Sequence, residues 1–181
     1  ALLTPVVKSF FTERGFQLAS DALQVFGGYG YVHEYRIEQI LRDSRIAMIY
    51  EGTNQIQALD LLQRKVLSGP DGLAPLLEVF AAEAALPSAH AASLQSWCDT
   101  LAQATHALAQ DAAQDAELPA RAAEDYLRLV GTVALAYTWC RAARVAQALD
   151  PAHPAHTQKR EGARYFFDYV LPGAAHWLRL V

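Results

Sequence analysis

Residues 49–57 read Ile-Tyr-Glu-Gly-Thr-Asn-Gln-Ile-Gln and place one carboxylate, that of Glu51, between an apolar stretch and a predicted helix. A carboxylate in such a position can act as a general base, a role that depends on its alignment and on the exclusion of water. It can equally serve only to complement the dipole of the helix, and the segment alone favours this simpler role. Thr53 is predicted to cap the helix, because its hydroxyl can accept a hydrogen bond from a free backbone N–H of the first turn.

A glycine-rich segment, Gln-Val-Phe-Gly-Gly-Tyr-Gly-Tyr at residues 24–31, is the second place where chemistry is possible. Its three glycines allow a backbone to approach a ligand closely and to expose N–H groups. A glycine-rich helix end is more often a simple C-cap, and the segment alone favours that interpretation. It is not a dinucleotide-binding fingerprint, because the pattern before it predicts a helix where that fingerprint requires a strand.

Helices are predicted to carry both segments, over residues 5–26, about 34–43 and 54–67. In the first of them, apolar residues recur at helical spacing: Phe11, Leu18, Ala22 and Val25. A Ser-Gly-Pro-Asp-Gly break at residues 68–72 then separates this part from an alanine-rich remainder. The remainder predicts helices near residues 94–108, over 120–149, and from 156 onward with a kink at Pro172.

These patterns predict an all-α helical bundle with two parts, residues 1–68 and 69–181. The chain is 52% hydrophobic and 19% charged, which is enough to form a core, and its many alanines favour helix.

A net charge of -4 without a run of basic residues argues against nucleic-acid binding. The most apolar stretch, residues 129–140, is too short to span a membrane. Neither the histidines nor Cys98 and Cys140 have metal-site spacing, and the two thiols are typical of a reduced, cytoplasmic protein.

Taken together with Arg-Asp-Ser-Arg-Ile at residues 42–46, the two segments occur in the order and at the separation found in acyl-CoA dehydrogenases. Residues 4–66 resemble the end of the catalytic core of that family. The continuation after Gln57 has Ala58 where the commonest members carry arginine. It is similar to the subfamily that adds a C-terminal helical domain, to which bacterial methylmercaptopropionyl-CoA dehydrogenases belong, and residues 72–181 would form that domain.

The resemblance implies α,β-dehydrogenation of an acyl-CoA thioester, in which a carboxylate removes the α-proton and a hydride passes from the β-carbon to FAD. Glu51 matches the base. Gly52 would lie beside the substrate, where a side chain would obstruct the thioester, while Thr53 and Gln55 would contact the flavin.

By the same resemblance, Gln24, Gly27 and Gly28 would contact the FAD of a neighbouring subunit, which implies a homo-oligomer of two or more copies. Electron-transferring flavoprotein would be the electron acceptor. Arg42 and Arg45 could pair with Asp43 or reach a cofactor phosphate.

The family's catalytic unit also has an N-terminal helical domain and a middle β-domain, which are missing here. The chain alone is therefore expected to bind neither FAD nor substrate well and to be inactive. The alternative is a non-catalytic module for helical packing or oligomerisation. An exposed apolar helix face would favour that module, whereas an open concave surface at Glu51 would favour catalysis.

Overall fold

The computed structural model describes residues 2–181, and helices joined by short turns make up that range without any β-strand. The prediction of an all-α fold is confirmed. The helices are α1 (Thr4–Val25), α2 (Ile37–Arg45), α3 (Asn54–Leu59), α4 (Ala74–Ala84), α5 (Ala91–Ala112), α6 (Leu118–Gln147), α7 (Pro154–Tyr165) and α8 (Ala174–Leu178). No helix formed by the described residues is both long and apolar enough to cross a membrane.

Two of the helices continue into π-helical segments. α3 runs without interruption into Asp60–Leu67, so the helix predicted over 54–67 has the expected extent but changes its winding midway. α7 continues into Phe166–Val170, after which a 3₁₀ turn at Leu171–Gly173 leads to α8. The predicted break at Pro172 lies in that turn, where the missing N–H of proline prevents regular helix.

The helix predicted over residues 34–43 is present, but its predicted start is wrong. A 3₁₀ turn at His33–Tyr35 comes first, and Arg36 then takes a left-handed backbone conformation with φ of 59°. Regular helix can begin only after this residue, so α2 starts at Ile37 and ends at Arg45.

α6 is the central helix, and α1, α3, α4, α5, α7 and α8 all contact it. The ring of Phe10 in α1 packs directly on Gly131 of α6, where a Cβ atom would lie 2.6 Å from the ring. On another face, the wholly buried Tyr126 shares a hydrogen bond of 2.8 Å with Thr105 of α5. Buried residues of α6 therefore pack against both parts of the chain, residues 2–68 and the helices that follow them.

Ion pairs fix the packing of α6 on two neighbours. Arg144 donates two hydrogen bonds, of 2.6 and 2.9 Å, to the carboxylate of Glu83 in α4. Glu83 is only 6% exposed. Its ion pair with Arg144 therefore offsets the free-energy cost of removing the carboxylate from water. Arg128 donates to Glu13 of α1 over 3.3 Å.

The helix predicted over residues 5–26 is confirmed as α1, but the apolar residues that revealed it are not its buried face. α1 buries Val6, Phe10 and Ala19. Phe11, Leu18 and Val25 are 49%, 66% and 86% exposed, and with Val7 they form a stripe along the outside of the helix. α1 therefore has two apolar faces. One packs against α6 and its neighbours, and the other is exposed.

Candidate functional site

Glu51 stands at a sharp turn immediately before α3. Its own φ is 55° and that of Gly52 is 91°, so two consecutive residues have left-handed backbone conformations. Glycine adopts this region freely, whereas a residue with a side chain pays about 1–2 kcal/mol. The turn leaves Glu51 exposed and Gly52 half-buried. A strained non-glycine residue beside an open surface is an arrangement found often at functional sites.

Hydrogen bonds on both sides hold this turn. The predicted N-cap is present, since the Ile56 N–H donates to the Thr53 hydroxyl over 3.5 Å. The side-chain amide of Gln57 donates back to the main-chain oxygen of Glu51 over 3.2 Å. Sequence reasoning passed over Gln57, because a contact six residues back across a left-handed turn has no simple sequence pattern.

Gln55 points away from the core at the edge of a groove of about 470 Å³ between α3 and the first turns of α6. The α6 side of the groove is charged, with Arg121, Glu124, Asp125 and Arg128 along it. The C-terminal part of the chain therefore forms one wall of the groove next to Gln55, one of the two predicted flavin contacts.

Two buried polar atoms near Glu51 lack a hydrogen-bond partner among residues 2–181. One is Nζ of Lys8, which lies 5.9 Å from the ring centre of Tyr50. The other is Oδ1 of Asn54, the first residue of α3. Buried polar atoms are nearly always paired, so these two are exceptions within the described residues.

The glycine segment follows α1 as a 3₁₀ turn, Gly27–Tyr31. Gly27 has a φ of 59°, which explains this glycine by backbone geometry alone. Gly28 has an ordinary φ, and a Cβ atom there would meet nothing within 4 Å, so packing inside the chain does not require glycine. Gln24, Gly27 and Gly28 are all exposed, and a ligand could approach this backbone closely.

The two predicted groups of site residues lie at opposite ends of α1. Tyr50, next to Glu51, contacts Lys8, whereas Gln24 lies in the last turn of the same helix. At about 1.5 Å per residue, positions 8 and 24 are about 24 Å apart along the helix. The structure therefore brings Glu51, Gly52, Thr53 and Gln55 together, and keeps Gln24 and the glycines apart from them.

A groove of about 700 Å³ runs between α1 and α2 on the side of the glycine segment. Arg42 at its rim pairs with Glu38, so the expected pairing with Asp43 is not the one formed, while the guanidinium of Arg45 lies 5.8 Å from the ring centre of Phe16. The hydrogen bond from Arg42, followed by the contact with His33, lowers the pKa of Glu38. The groove was not predicted from the sequence, because its walls combine residues from both helices and from the turn between them.

Two family models match the chain side by side. The model described as "Acyl-CoA dehydrogenase, C-terminal domain" matches residues 2–66, and the model described as "Acetyl-CoA dehydrogenase C-terminal like" matches residues 73–181. The chain belongs to the acyl-CoA dehydrogenase family. Within that family it corresponds to the C-terminal, helical part, as its sequence motifs predicted.

Several curated acyl-CoA dehydrogenases are similar to the chain. A 3-methylmercaptopropionyl-CoA dehydrogenase of Ruegeria pomeroyi is 37% identical over 81% of the chain and 26% of its own length. An acyl-CoA dehydrogenase of Bacillus subtilis is 42% identical over 35% of the chain and 17% of its own length. A cyclohexane-1-carbonyl-CoA dehydrogenase of Geobacter metallireducens is 43% identical over 36% of the chain and 17% of its own length. The chain thus spans about a quarter of the length of the Ruegeria relative.

Proposed function

We propose that the chain is the part of an FAD-dependent acyl-CoA dehydrogenase that carries its catalytic base, Glu51. The observation that carries the proposal is the left-handed turn at Glu51 and Gly52, which presents a carboxylate on an open surface at the start of α3. In this role Glu51 removes the α-proton of an acyl-CoA thioester. Gly52 would lie beside the substrate.

Bound FAD would accept the hydride from the β-carbon of the substrate. Thr53 and Gln55, which are both exposed, would hold it beside Glu51. These residues bind and orient, while the proton is taken by Glu51.

Gln24, Gly27 and Gly28 would contact the FAD of a neighbouring subunit. These residues and the Glu51 turn lie near opposite ends of α1, which supports a second point of contact and not a shared pocket. A homo-oligomer follows from this proposal, with electron-transferring flavoprotein as the acceptor of the electrons. Analytical ultracentrifugation of the complete enzyme measures the oligomer directly, and a monomer would contradict the subunit contact.

The role of Glu51 is tested by Glu51→Gln in a complete enzyme that carries this chain. Loss of a general base lowers kcat by about 10²- to 10⁴-fold. Glu78→Gln is the matched control, because Glu78 is exposed on α4, in the other part of the chain. Glu51→Gln with unchanged kcat would remove Glu51 from the mechanism.

A packing or oligomerisation role is the second candidate, and the exposed stripe on α1 favours it. We propose that residues 1–68 carry the catalytic contacts and, through this stripe, a surface for a neighbouring domain or subunit, while residues 69–181 act as a packing domain. The packing of Phe10 against Gly131 supports the packing role of residues 69–181, because it joins them to α1 through one core. Both roles can hold in one enzyme.

A further inference from the structure

The side chain of Gln57 spans both residues of the left-handed turn. Its Nε2 donates to the main-chain oxygen of Glu51 over 3.2 Å. The same nitrogen lies against Gly52, where a Cβ atom would be only 3.0 Å away from it. One amide group therefore covers Gly52 and binds the carbonyl of the residue before it.

Glu51 needs such a contact. A glutamate with φ of 55° adopts a conformation that L-residues disfavour, and it persists only where surrounding contacts hold it. Thr53 caps α3 on the far side of Gly52, but its hydroxyl binds the helix and not the carbonyl of Glu51.

Gln57 is itself attached to a rigid element. It lies in the first turn of α3, and its backbone N–H donates to the Thr53 carbonyl over 3.1 Å. The next residue, Ala58, is 1% exposed, and Leu61 and Leu62 are fully buried in the same continuous helix. A functional side chain is held accurately when its support is fixed in this way.

We infer that Gln57 is a positioning residue, whose amide fixes the turn at Glu51 and Gly52 and so directs the carboxylate of Glu51. This inference rests on the proposed role of Glu51 as the base. Gln57 acts through the backbone of Glu51, without any contact of its own to the substrate.

The test uses Gln57→Met in a complete enzyme that carries this chain, because methionine keeps the length of the side chain and removes the N–H donor. A misdirected base should lower kcat on the order of 10- to 100-fold with little change in KM. Gln63→Met is the matched control, since Gln63 is exposed on the same continuous helix. Gln57→Leu, which also removes the amide donor and adds no charge, gives the same result if methionine disturbs folding.

The second readout is the backbone of Glu51 in crystal structures of the Gln57→Met variant and of the unaltered enzyme. We expect φ of Glu51 to leave the left-handed region in the variant. An unchanged kcat, an unchanged Glu51 backbone, or an equal loss of kcat in Gln63→Met each overturns the inference. An active Glu51→Gln enzyme is a separate result: it contradicts the proposed function, and a moved Glu51 backbone would then leave Gln57 with a purely structural role.

Discussion

At the scale of single residues, the site depends on backbone angles more than on burial. Gly52 has a φ of 91°, which residues with a Cβ atom rarely adopt, and its Cα lies under the amide of Gln57. A helix cap could be predicted for Thr53 from its residue type. The left-handed conformation of Glu51 could not, because nothing in the residue type of a glutamate signals it.

The substitution Gly52→Ala should lower the free energy of unfolding of the chain by about 1–2 kcal/mol, because alanine is strained at this φ. Urea unfolding followed by circular dichroism measures the change.

Gly28→Ala is the control for this substitution, since Gly28 has open space around its Cα and an ordinary φ. It should leave the stability unchanged or slightly raised. Equal losses for both variants would mean that the backbone angle of Gly52 is not the cause.

At the scale of helices, most of the architecture followed from the sequence, because proline, glycine and the spacing of apolar residues mark where helices begin and end. Confirmed features include the helix over 5–26, the cap at Thr53 and the break at Pro172. The start of α2 was missed because Arg36, an ordinary helix former, takes a left-handed angle. The buried face of α1 was missed because two apolar stripes compete, and only tertiary packing decides between them.

The contact between α1 and α6 predicts that stability is sensitive to a larger side chain at position 131. Gly131→Ala would force a methyl group against the ring of Phe10, at 2.6 Å from its nearest atom. Overpacking of this kind should lower the free energy of unfolding by about 1–3 kcal/mol, as measured by urea unfolding.

Gly15→Ala in α1 is the matched substitution, since Gly15 is also within a helix and a Cβ atom there meets nothing within 4 Å. It should raise the stability by about 0.5–1 kcal/mol, because alanine favours helix. If Gly131→Ala were stabilising as well, the close packing of α1 on α6 would be disproved.

At the scale of the whole molecule, the predicted cofactor contacts are exposed and lie at two separate places on the surface. Gln24, Thr53 and Gln55 are all exposed, and the two groups of contacts lie near opposite ends of α1. Ligand sites usually bury most of their ligand, so this chain alone offers FAD too few contacts.

We therefore expect no saturable change in flavin absorbance or fluorescence when the isolated chain of 181 residues is titrated with FAD. The complete enzyme is the positive control. Tight stoichiometric binding by the isolated chain would mean that residues 1–181 build a sufficient flavin site, and acyl-CoA turnover should then be measured at once.

Surface ion pairs also make the free energy of unfolding depend on pH in acid. The hydrogen bond from Arg64 lowers the pKa of Asp60, and that from Arg121 lowers the pKa of Asp115. A carboxyl group whose pKa is lower in the folded state stabilises the fold above its unfolded pKa. This stabilisation is lost as the pH falls through the folded value.

The midpoint of urea unfolding should therefore stay nearly constant from about pH 7 to about pH 5 and decrease below about pH 4. In Asp60→Asn the midpoint should already be lower at neutral pH, and its further decrease in acid should be smaller. An identical acid response in the two proteins would show that the ion pairs of Asp60 with Arg64 and Lys65 contribute nothing. Since both pairs are largely exposed, the effect of each is small.

The π-helical stretch Asp60–Leu67 has a consequence for how this chain is aligned with its relatives. An α-helix rotates by about 100° per residue. One additional residue in a wider, π-helical turn therefore rotates the preceding residues about the helix axis by roughly that angle, relative to the residues that follow. A single deletion within residues 60–67 would restore α-helical winding and rotate the end that carries Glu51 around the helix axis, while Val66 kept its place against α6. A relative that is α-helical throughout this stretch would therefore need a one-residue gap in the alignment, and without it the residues on one side of the stretch would be matched with the wrong positions.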